Sequence, residues 1–282
     1  MDLIDPKKHR QLFLDDHGLI LNQTTTRTLH PPQKFGPLIS GGVQSRSAPI
    51  WNPEKNIWEW WYMGQGARYA TSKDGEHWEK PHLGLYAWEG SKDNNIACDP
   101  EGPGMYHIVR DERDPDPGRR YKALFSSSDR RAGVSPDGFH WTMLDSIAIP
   151  SRDESQFTWD PYTEQYLALV KQQTEWGRSV WLSTSKDFTT FTDPVLIFHS
   201  DEIDRENRRQ RVRKIIEDPA YITPPLLDDI DYIAEIYNMA VLPYQGLYIG
   251  FPTVFNPFGA IPPPATNFTR INQIEMAVSR DL

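Results

Sequence analysis

The chain has 282 residues, 30 Lys and Arg against 39 Asp and Glu, a formal net charge of −9 and a single cysteine. An acidic chain of this kind is a poor general nucleic-acid binder, and one cysteine excludes an internal disulfide framework and a cysteine-rich zinc site. No stretch is apolar enough for a signal peptide or a membrane span, so the chain as given is expected to be cytoplasmic and to bind no membrane.

The composition favours an all-β fold. The sequence contains 24 prolines together with 10 Trp, 12 Tyr and 12 Phe, and it has few stretches with helical periodicity. Frequent prolines and aromatic residues are typical of many short strands joined by ordered loops. A doubly wound α/β fold would need long alternating helices, which the sequence lacks.

From the N-terminus, the sequence predicts a strand at 11–15 and then four units of similar layout. Each unit has an apolar strand, a turn, an aromatic-rich strand, a second turn and a third apolar strand. The first strands begin near Ser47, Met105, Gln156 and Tyr237, and the third strands cover Ala67–Thr71, Arg131–Val134, Val180–Thr184 and Ile274–Val278.

A Ser-x-Asp turn follows each third strand. The four copies are Ser72-Lys-Asp74-Gly75-Glu-His-Trp78, Ser135-Pro-Asp137-Gly138-Phe-His-Trp141, Ser185-Lys-Asp187-Phe188-Thr-Thr-Phe191 and Ser279-Arg-Asp281. Ser and Asp side chains cap tight turns by binding backbone amides, and glycine accepts a positive φ there. These aspartates are therefore interpreted as structural.

Four such meanders in series predict a β-propeller, and an ordinary β-sandwich with coincidental turns is the alternative. We expect a five-bladed propeller forming one domain over 1–282, in which four blades are readable and the last is incomplete at its C-terminus. Either the strand at 11–15 closes that blade, or the chain is a truncated relative of a five-bladed protein.

A charged insertion at about 200–232 separates the third and fourth units. Residues 201–218 predict a helix that Asp201 or Asp204 could cap, with charges of alternating sign. Its basic residues favour a solvated helix with internal ion pairs. A site for an anion or for a partner subunit is the alternative, and a homo-oligomer is therefore left open. The proline-rich stretch 256–264 predicts an irregular loop near one mouth of the propeller.

The repeated turns, the Asp-Pro pairs after inner strands and the opening segment Arg10-Gln-Leu-Phe-Leu-Asp15-Asp16 carry a family resemblance. They resemble the five-bladed glycoside hydrolases of families 32, 43 and 68, and in particular a bacterial branch described as glycosyl-hydrolase-like. The resemblance implies a glycosidase acting on an oligosaccharide or polysaccharide, with no cofactor and no nucleic-acid or membrane partner. A calcium ion at the propeller axis is left open, and so are the sugar and the linkage.

Glycoside hydrolysis needs two carboxyl groups, one to protonate the leaving oxygen and one to attack or to activate water. Inner strands converge on a propeller axis, so the candidates are acids at the beginnings of these strands. We predict Asp16 as base or nucleophile, Glu235 as general acid and Asp153 as a tuning or stabilising carboxylate. The other acids considered are Asp15, Glu154, Asp231 and the pair Asp111 and Glu112, which resembles the family's stabiliser by type.

Four further residues are candidate substrate-binding groups. Arg46 and His107 could hydrogen-bond sugar hydroxyls, Trp159 could stack on a sugar face, and Tyr237 could face the axial funnel. An arginine on a strand is about as often the structural partner of an acid. The alternatives to an enzyme are a non-catalytic propeller that binds carbohydrate or protein, and an inactive truncated relative.

Overall fold

Four antiparallel sheets follow one another along the chain in the computed structural model. The structure describes residues 10, 12, 14, 26–41, 44–64, 66–145, 148–220, 227–228, 230–264 and 267–282. Blade 1 contains β1 (Ile50–Asn52), β2 (Ile57–Gly64) and β3 (Gly66–Ser72). Blade 2 contains β4 (Met105–Arg110), β5 (Tyr121–Phe125), β6 (Arg131–Ser135) and β7 (Thr142–Met143), with a short 3-10 turn at Pro117–Arg119.

The other two blades flank the single described α-helix. Blade 3 contains β8 (Ser155–Asp160), β9 (Gln165–Thr174), β10 (Gly177–Ser185) and β11 (Val195–Phe198), and α1 spans Glu202–Glu217. Blade 4 contains β12 (Glu235–Tyr244), β13 (Leu247–Ile261), β14 (Asn267–Ile274) and β15 (Ala277–Ser279). Within the described ranges, no helix is both long and apolar enough to cross a membrane.

The first strands of the blades face one another around a hub. Strand β4 contacts both β1 and β8, and β8 contacts β12. Apolar clusters fill the spaces between successive blades, as where Trp61 of blade 1 meets Tyr121 of blade 2. This is a four-bladed propeller arrangement, and the described residues contain no fifth blade. The predicted strand at 11–15 lies mostly outside them.

The same register recurs in all four blades. The aromatic residue near the start of each second strand pairs with the serine of the Ser-x-Asp turn: Trp58 with Ser72, Tyr121 with Ser135, Tyr166 with Ser185 and Tyr248 with Ser279. A one-residue slip would turn every side chain of a strand to the other face of its sheet. The predicted repeat is thus confirmed as a structural repeat.

The Ser-x-Asp turns have the predicted hydrogen bonds. Ser72 Oγ accepts the amide of Gly75 at 2.8 Å, and Asp74 Oδ1 accepts the amides of Glu76 and His77 at 2.9 and 2.8 Å. The second and third copies repeat this pattern, and in the third Phe188 takes the glycine position with φ 59°. These aspartates cap turns, as the sequence predicts.

A second repeated contact joins each blade to the next. A buried Asn or Asp at or just after the end of an inner strand binds a tyrosine of the following blade. The contacts join Asn52 to Tyr121 at 3.2 Å, Asp111 to Tyr166, and Asp160 to Tyr248 at 2.7 Å. Because each tyrosine hydroxyl satisfies a polar group that is shut off from water, the contacts fix neighbouring blades relative to one another.

Blade 4 departs from the prediction in two places. Strand β13 continues to Ile261, so the expectation of an irregular loop at 256–264 is wrong. The strand tolerates Pro257 because the pairing with β14 shifts register between Pro257 and Gly259, as at a β-bulge. In blade 4 the third-strand position is occupied by β15 and not by the predicted strand at 274–278. Strand β14, which precedes β15, pairs with the C-terminal half of β13.

The helix agrees with its prediction. Asp201 caps α1, and Asp204 binds the Asp201 amide in return. The arginines form ion pairs within the helix, including Arg209 with Glu206 at 2.9 Å. The arginines also bind blade 4 and the loop that precedes it. Arg208 Nε donates to the Pro257 carbonyl of β13 at 2.7 Å, and Arg209 pairs with Asp231 of the loop.

Candidate functional site

Residues at the beginnings of the inner strands meet at one end of the hub. We call this end the hub mouth, and it consists of Arg46, Asp153, Glu154, Lys171, Arg178, Glu235 and Tyr237. Five of these residues precede inner strands or lie in their first three positions, whereas Lys171 and Arg178 come from β9 and β10 of blade 3. The hub mouth therefore brings together groups from blades 1, 3 and 4.

Arg46 and Glu154 form a two-pronged ion pair across the hub. Arg46 Nε and Nη2 each lie 2.5 Å from a carboxylate oxygen of Glu154, and the two residues are 108 positions apart. Their side chains are only 9% and 8% exposed. Arg46 thus pairs with an acid, and its sugar-binding role stays a prediction.

Asp153 is the exposed acid of the hub mouth. Its side chain is 56% exposed, Oδ1 lies 2.5 Å from Lys171 Nζ, and Oδ2 accepts the Tyr237 hydroxyl at 3.4 Å. Burial acts to raise the pKa of Asp153, but the hydrogen bond and charge of Lys171 outweigh it and lower the pKa. The carboxylate is therefore ionised at neutral pH.

Tyr237 offers its hydroxyl rather than its ring. Lys171 Nζ lies 3.8 Å from the centroid of the ring, and Phe255 stacks nearly parallel to the ring at 5.6 Å. Burial raises the pKa of Tyr237, and the charge of Asp153 acts in the same direction. The hydroxyl therefore stays protonated and acts as a donor.

Glu235 begins β12 with a side chain that is 13% exposed and binds the guanidinium of Arg178. The carboxylate packs against Gly177, where an added Cβ would lie 2.2 Å from Oε1. The φ of Gly177 is +78°, so both the backbone and the neighbouring acid require glycine here. The position of Glu235 is thus set by two adjacent residues of blade 3.

His107 and Arg130 form a buried polar floor beneath the hub mouth. His107 Nδ1 lies 2.7 Å from the Arg46 carbonyl and Nε2 lies 2.8 Å from Ser155 Oγ, so neither ring nitrogen is left for a sugar. Burial lowers the pKa of His107 to about 3. Arg130 is fully buried and donates to the carbonyls of Arg152 and Asp153 at 2.8 Å each, which holds the chain that carries Asp153.

The remaining candidates lie elsewhere. Trp159 is at the far end of β8, in a cleft of about 660 Å³ between blades 2 and 3 where the Arg113 guanidinium covers its ring at 3.0 Å. Asp111 lines the same cleft and pairs with Lys122 at 2.9 Å. Asp231 binds Arg209 of α1. Asp15 and Asp16 lie outside the described residues.

Sequence reasoning missed Lys171, Arg178 and Arg130. They lie on second and third strands or their flanks, whereas the propeller geometry predicts catalytic acids at the starts of inner strands. The alternation along β9 and β10 could have placed Lys171 and Arg178 on particular faces, but not beside particular acids. Among the described residues, no group of three or more His, Cys, Asp or Glu side chains could hold a metal ion.

No protein-family model matches this chain, and no curated protein matches it. Solved structures of similar fold include an N-acetylgalactosamine deacetylase from F. plautii in complex with blood group B trisaccharide. That structure is 13% identical with a TM-score of 0.48, and the match covers 85% of this chain and 66% of that one. This chain thus spans slightly less than two thirds of the length of that neighbour.

Two other neighbours are an arabinofuranosidase and a glycoside hydrolase. An α-L-arabinofuranosidase from Podospora anserina, in complex with cellotriose, is 12% identical over 81% of this chain and 71% of that one, with a TM-score of 0.47. A family 117 glycoside hydrolase of Zobellia galactanivorans is 11% identical over 83% and 70%, with a TM-score of 0.41. Likenesses this distant carry no argument about the reaction or the substrate of this chain.

Proposed function

We propose that this chain is a glycoside-hydrolase-like protein that binds an oligosaccharide or polysaccharide at the hub mouth and cleaves a glycosidic bond there. The observation that carries the proposal is the meeting of Asp153 with Tyr237, 84 residues away in the chain, beside the pair formed by Arg178 and Glu235. Carboxylates that converge on one opening are what glycoside hydrolysis requires. The resemblance of the turns and the opening segment to propeller glycoside hydrolases supports the same chemistry.

The proposed roles follow from the environment of each group. Asp153, kept ionised by Lys171, stabilises positive charge that develops on the sugar, and the Tyr237 hydroxyl donates to the substrate. Glu235 protonates the leaving oxygen, which requires the substrate to displace Arg178, because the guanidinium occupies the Glu235 carboxylate. Asp16 remains the proposed base or nucleophile.

The test is a turnover assay on aryl glycosides and plant polysaccharides with the wild type, Asp153→Asn, Glu235→Gln and the control Asp145→Asn. Asp145 is exposed and follows β7, which is at the opposite edge of blade 2 from the inner strand β4. Removing the general acid is expected to lower kcat/KM by about 10²–10⁴-fold. The loss in Glu235→Gln is expected to be smallest for dinitrophenyl leaving groups, which need little protonation. Full activity of both site variants would overturn the assignment.

A second function is favoured by one observation. Each of the three carboxylates of the hub mouth, Asp153, Glu154 and Glu235, is paired with a cation. Such an arrangement suits a carbohydrate-binding module without catalysis, because each carboxylate is held by a neighbouring cation. Sugar binding by the wild type without turnover of any substrate in the panel would identify this function.

A further inference from the structure

Around the hub mouth positive charge exceeds negative charge once the buried Arg130 beneath it and Arg270 on the neighbouring β14 are included, although the chain as a whole is acidic. Within the described residues, this larger set holds the cations Arg46, Arg130, Lys171, Arg178 and Arg270 and the carboxylates Asp153, Glu154 and Glu235. Three cations are neutralised by the three acids. Arg130 is buried in the floor and has only hydroxyl and carbonyl acceptors, so Arg270 is the exposed cation of this set that none of the three acids neutralises.

Arg270 lies on β14 and is exposed. Its guanidinium carbon is 5.2 Å from the Phe255 ring, and that of Arg178 is 4.7 Å from the same ring. Its hydrogen-bond acceptors are the Asn267 side chain at 3.5 Å and the Phe268 carbonyl at 3.1 Å, and none of the described carboxylates pairs with it. The hairpin of β13 and β14 thus places a guanidinium without a carboxylate partner among the described residues next to the Phe255 ring, on which Tyr237 stacks. The charge of Arg270 reaches Tyr237, where it acts to lower the pKa of the hydroxyl.

The aromatic rings of the hub mouth, on which a neutral sugar could stack, are covered by other side chains. The Tyr237 ring contacts Lys171 and Phe255, and Phe255 itself is 1% exposed. The groups that remain open to a ligand are the Tyr237 hydroxyl, the Asp153 carboxylate and the Arg270 guanidinium. Two donors and one acceptor are suited to a sugar that carries both hydroxyls and an anionic group.

We propose that the hub mouth selects a sugar bearing a carboxylate, a uronic acid, with the neighbouring Arg270 binding the carboxylate and Tyr237 donating to a sugar hydroxyl. This inference rests on the proposed function and names its substrate class. The planar guanidinium fork matches a carboxylate in a two-pronged geometry. The Asp153 carboxylate is oriented by Lys171 to accept a ring hydroxyl, and it repels a sugar that enters with its acid group reversed.

The test is calorimetric binding of matched methyl glycosides: glucuronide against glucoside, and galacturonide against galactoside, at one ionic strength. Hydrogen bonds to charged groups contribute about 1.5–3 kcal/mol, so at least one uronide should bind about tenfold or more tightly than its neutral partner. Arg270→Gln should abolish this preference. Arg131→Gln, at an exposed arginine on blade 2, should retain it.

Equal affinity for the charged and neutral partners, or an unchanged preference in Arg270→Gln, would overturn the inference. The outcomes separate it from the proposed function. Hydrolysis of neutral glycosides without preference for uronides leaves the glycosidase standing and removes the acidic substrate. Tight binding of a uronide without hydrolysis leaves the acidic ligand standing and removes the glycosidase.

Discussion

At the scale of single residues, burial and charge decide what each polar group of the hub mouth can do. His107 is 1% exposed, and both of its ring nitrogens are bound by blades 1 and 3. It was predicted to bind substrate, yet it joins the blades beneath the site. The residue type was identifiable from the sequence, but its depth depends on the Arg46 backbone and on Ser155, which come from distant parts of the chain.

The buried His107 leads to a pH prediction. Its pKa is about 3 in the folded state against 6.5 for an exposed histidine, so below pH 6.5 the unfolded state takes up the proton first. This contribution to stability is complete above pH 6.5 and is lost as the pH falls from 6.5 towards 3. We expect the free energy of unfolding to fall more steeply in this window for the wild type than for His107→Gln.

The measurement is urea unfolding of both proteins between pH 7 and pH 4. At most one proton is involved, so the difference between the two slopes should not exceed about 1.4 kcal/mol per pH unit. Parallel curves over this range would contradict the assignment of a neutral, buried His107.

At the scale of elements, the Ser-x-Asp turns show how a local motif also serves packing. Gly75 and Gly138 occupy the same turn position with φ of +82° and +83°. A Cβ on Gly138 would lie 2.5 Å from Trp61 of blade 1, whereas a Cβ on Gly75 would lie no closer than 3.8 Å to Trp58. The positive φ could be predicted from the motif, but the blade contact could not.

Alanine at the two glycines should therefore have unequal effects. Gly75→Ala should cost about 1–2 kcal/mol for the left-handed backbone alone. Gly138→Ala should cost about 1–3 kcal/mol more, because the methyl group overpacks the buried Trp61 ring. Chemical denaturation of the two variants measures the difference, and equal losses would show that Trp61 moves aside freely.

At the scale of the whole molecule, the contacts between inner strands and the tyrosines of following blades hold the propeller together. Tyr248 of blade 4 donates to Asp160 of blade 3, and Asp160 has no exposed surface. The carboxylate also accepts the Thr163 hydroxyl and the Tyr162 amide, so the tyrosine is one of several donors to a single buried charge.

Tyr248→Phe should destabilise the protein by about 1.5–3 kcal/mol, because a hydrogen bond to a buried charge is lost without a replacement. Tyr244→Phe is the matched control on the same hairpin, since the Tyr244 side chain is 42% exposed. Thermal and urea unfolding compare the two. A loss in Tyr248→Phe no larger than in Tyr244→Phe would mean that the contact does not hold blades 3 and 4 together.

Local chemistry was sufficient to predict the repeated strands, the turn caps and the capped helix α1, because each depends on residues within a few positions of one another. The course of β13 through Pro257 was not predictable in this way, since a bulge depends on the partner strand. The ion pairs of the hub mouth were not predictable either. Glu154 pairs with Arg46 from blade 1, and Glu235 pairs with Arg178 from blade 3.

The amino-acid sequence by itself determined that this protein consists of successive small antiparallel sheets, with acids placed at the starts of their inner strands. Only the tertiary structure decided which cation neutralises each acid of the hub mouth. The reason is physical: backbone turns and caps act over a few residues, whereas charge pairing and burial depend on atoms that meet only after the blades have packed around the hub.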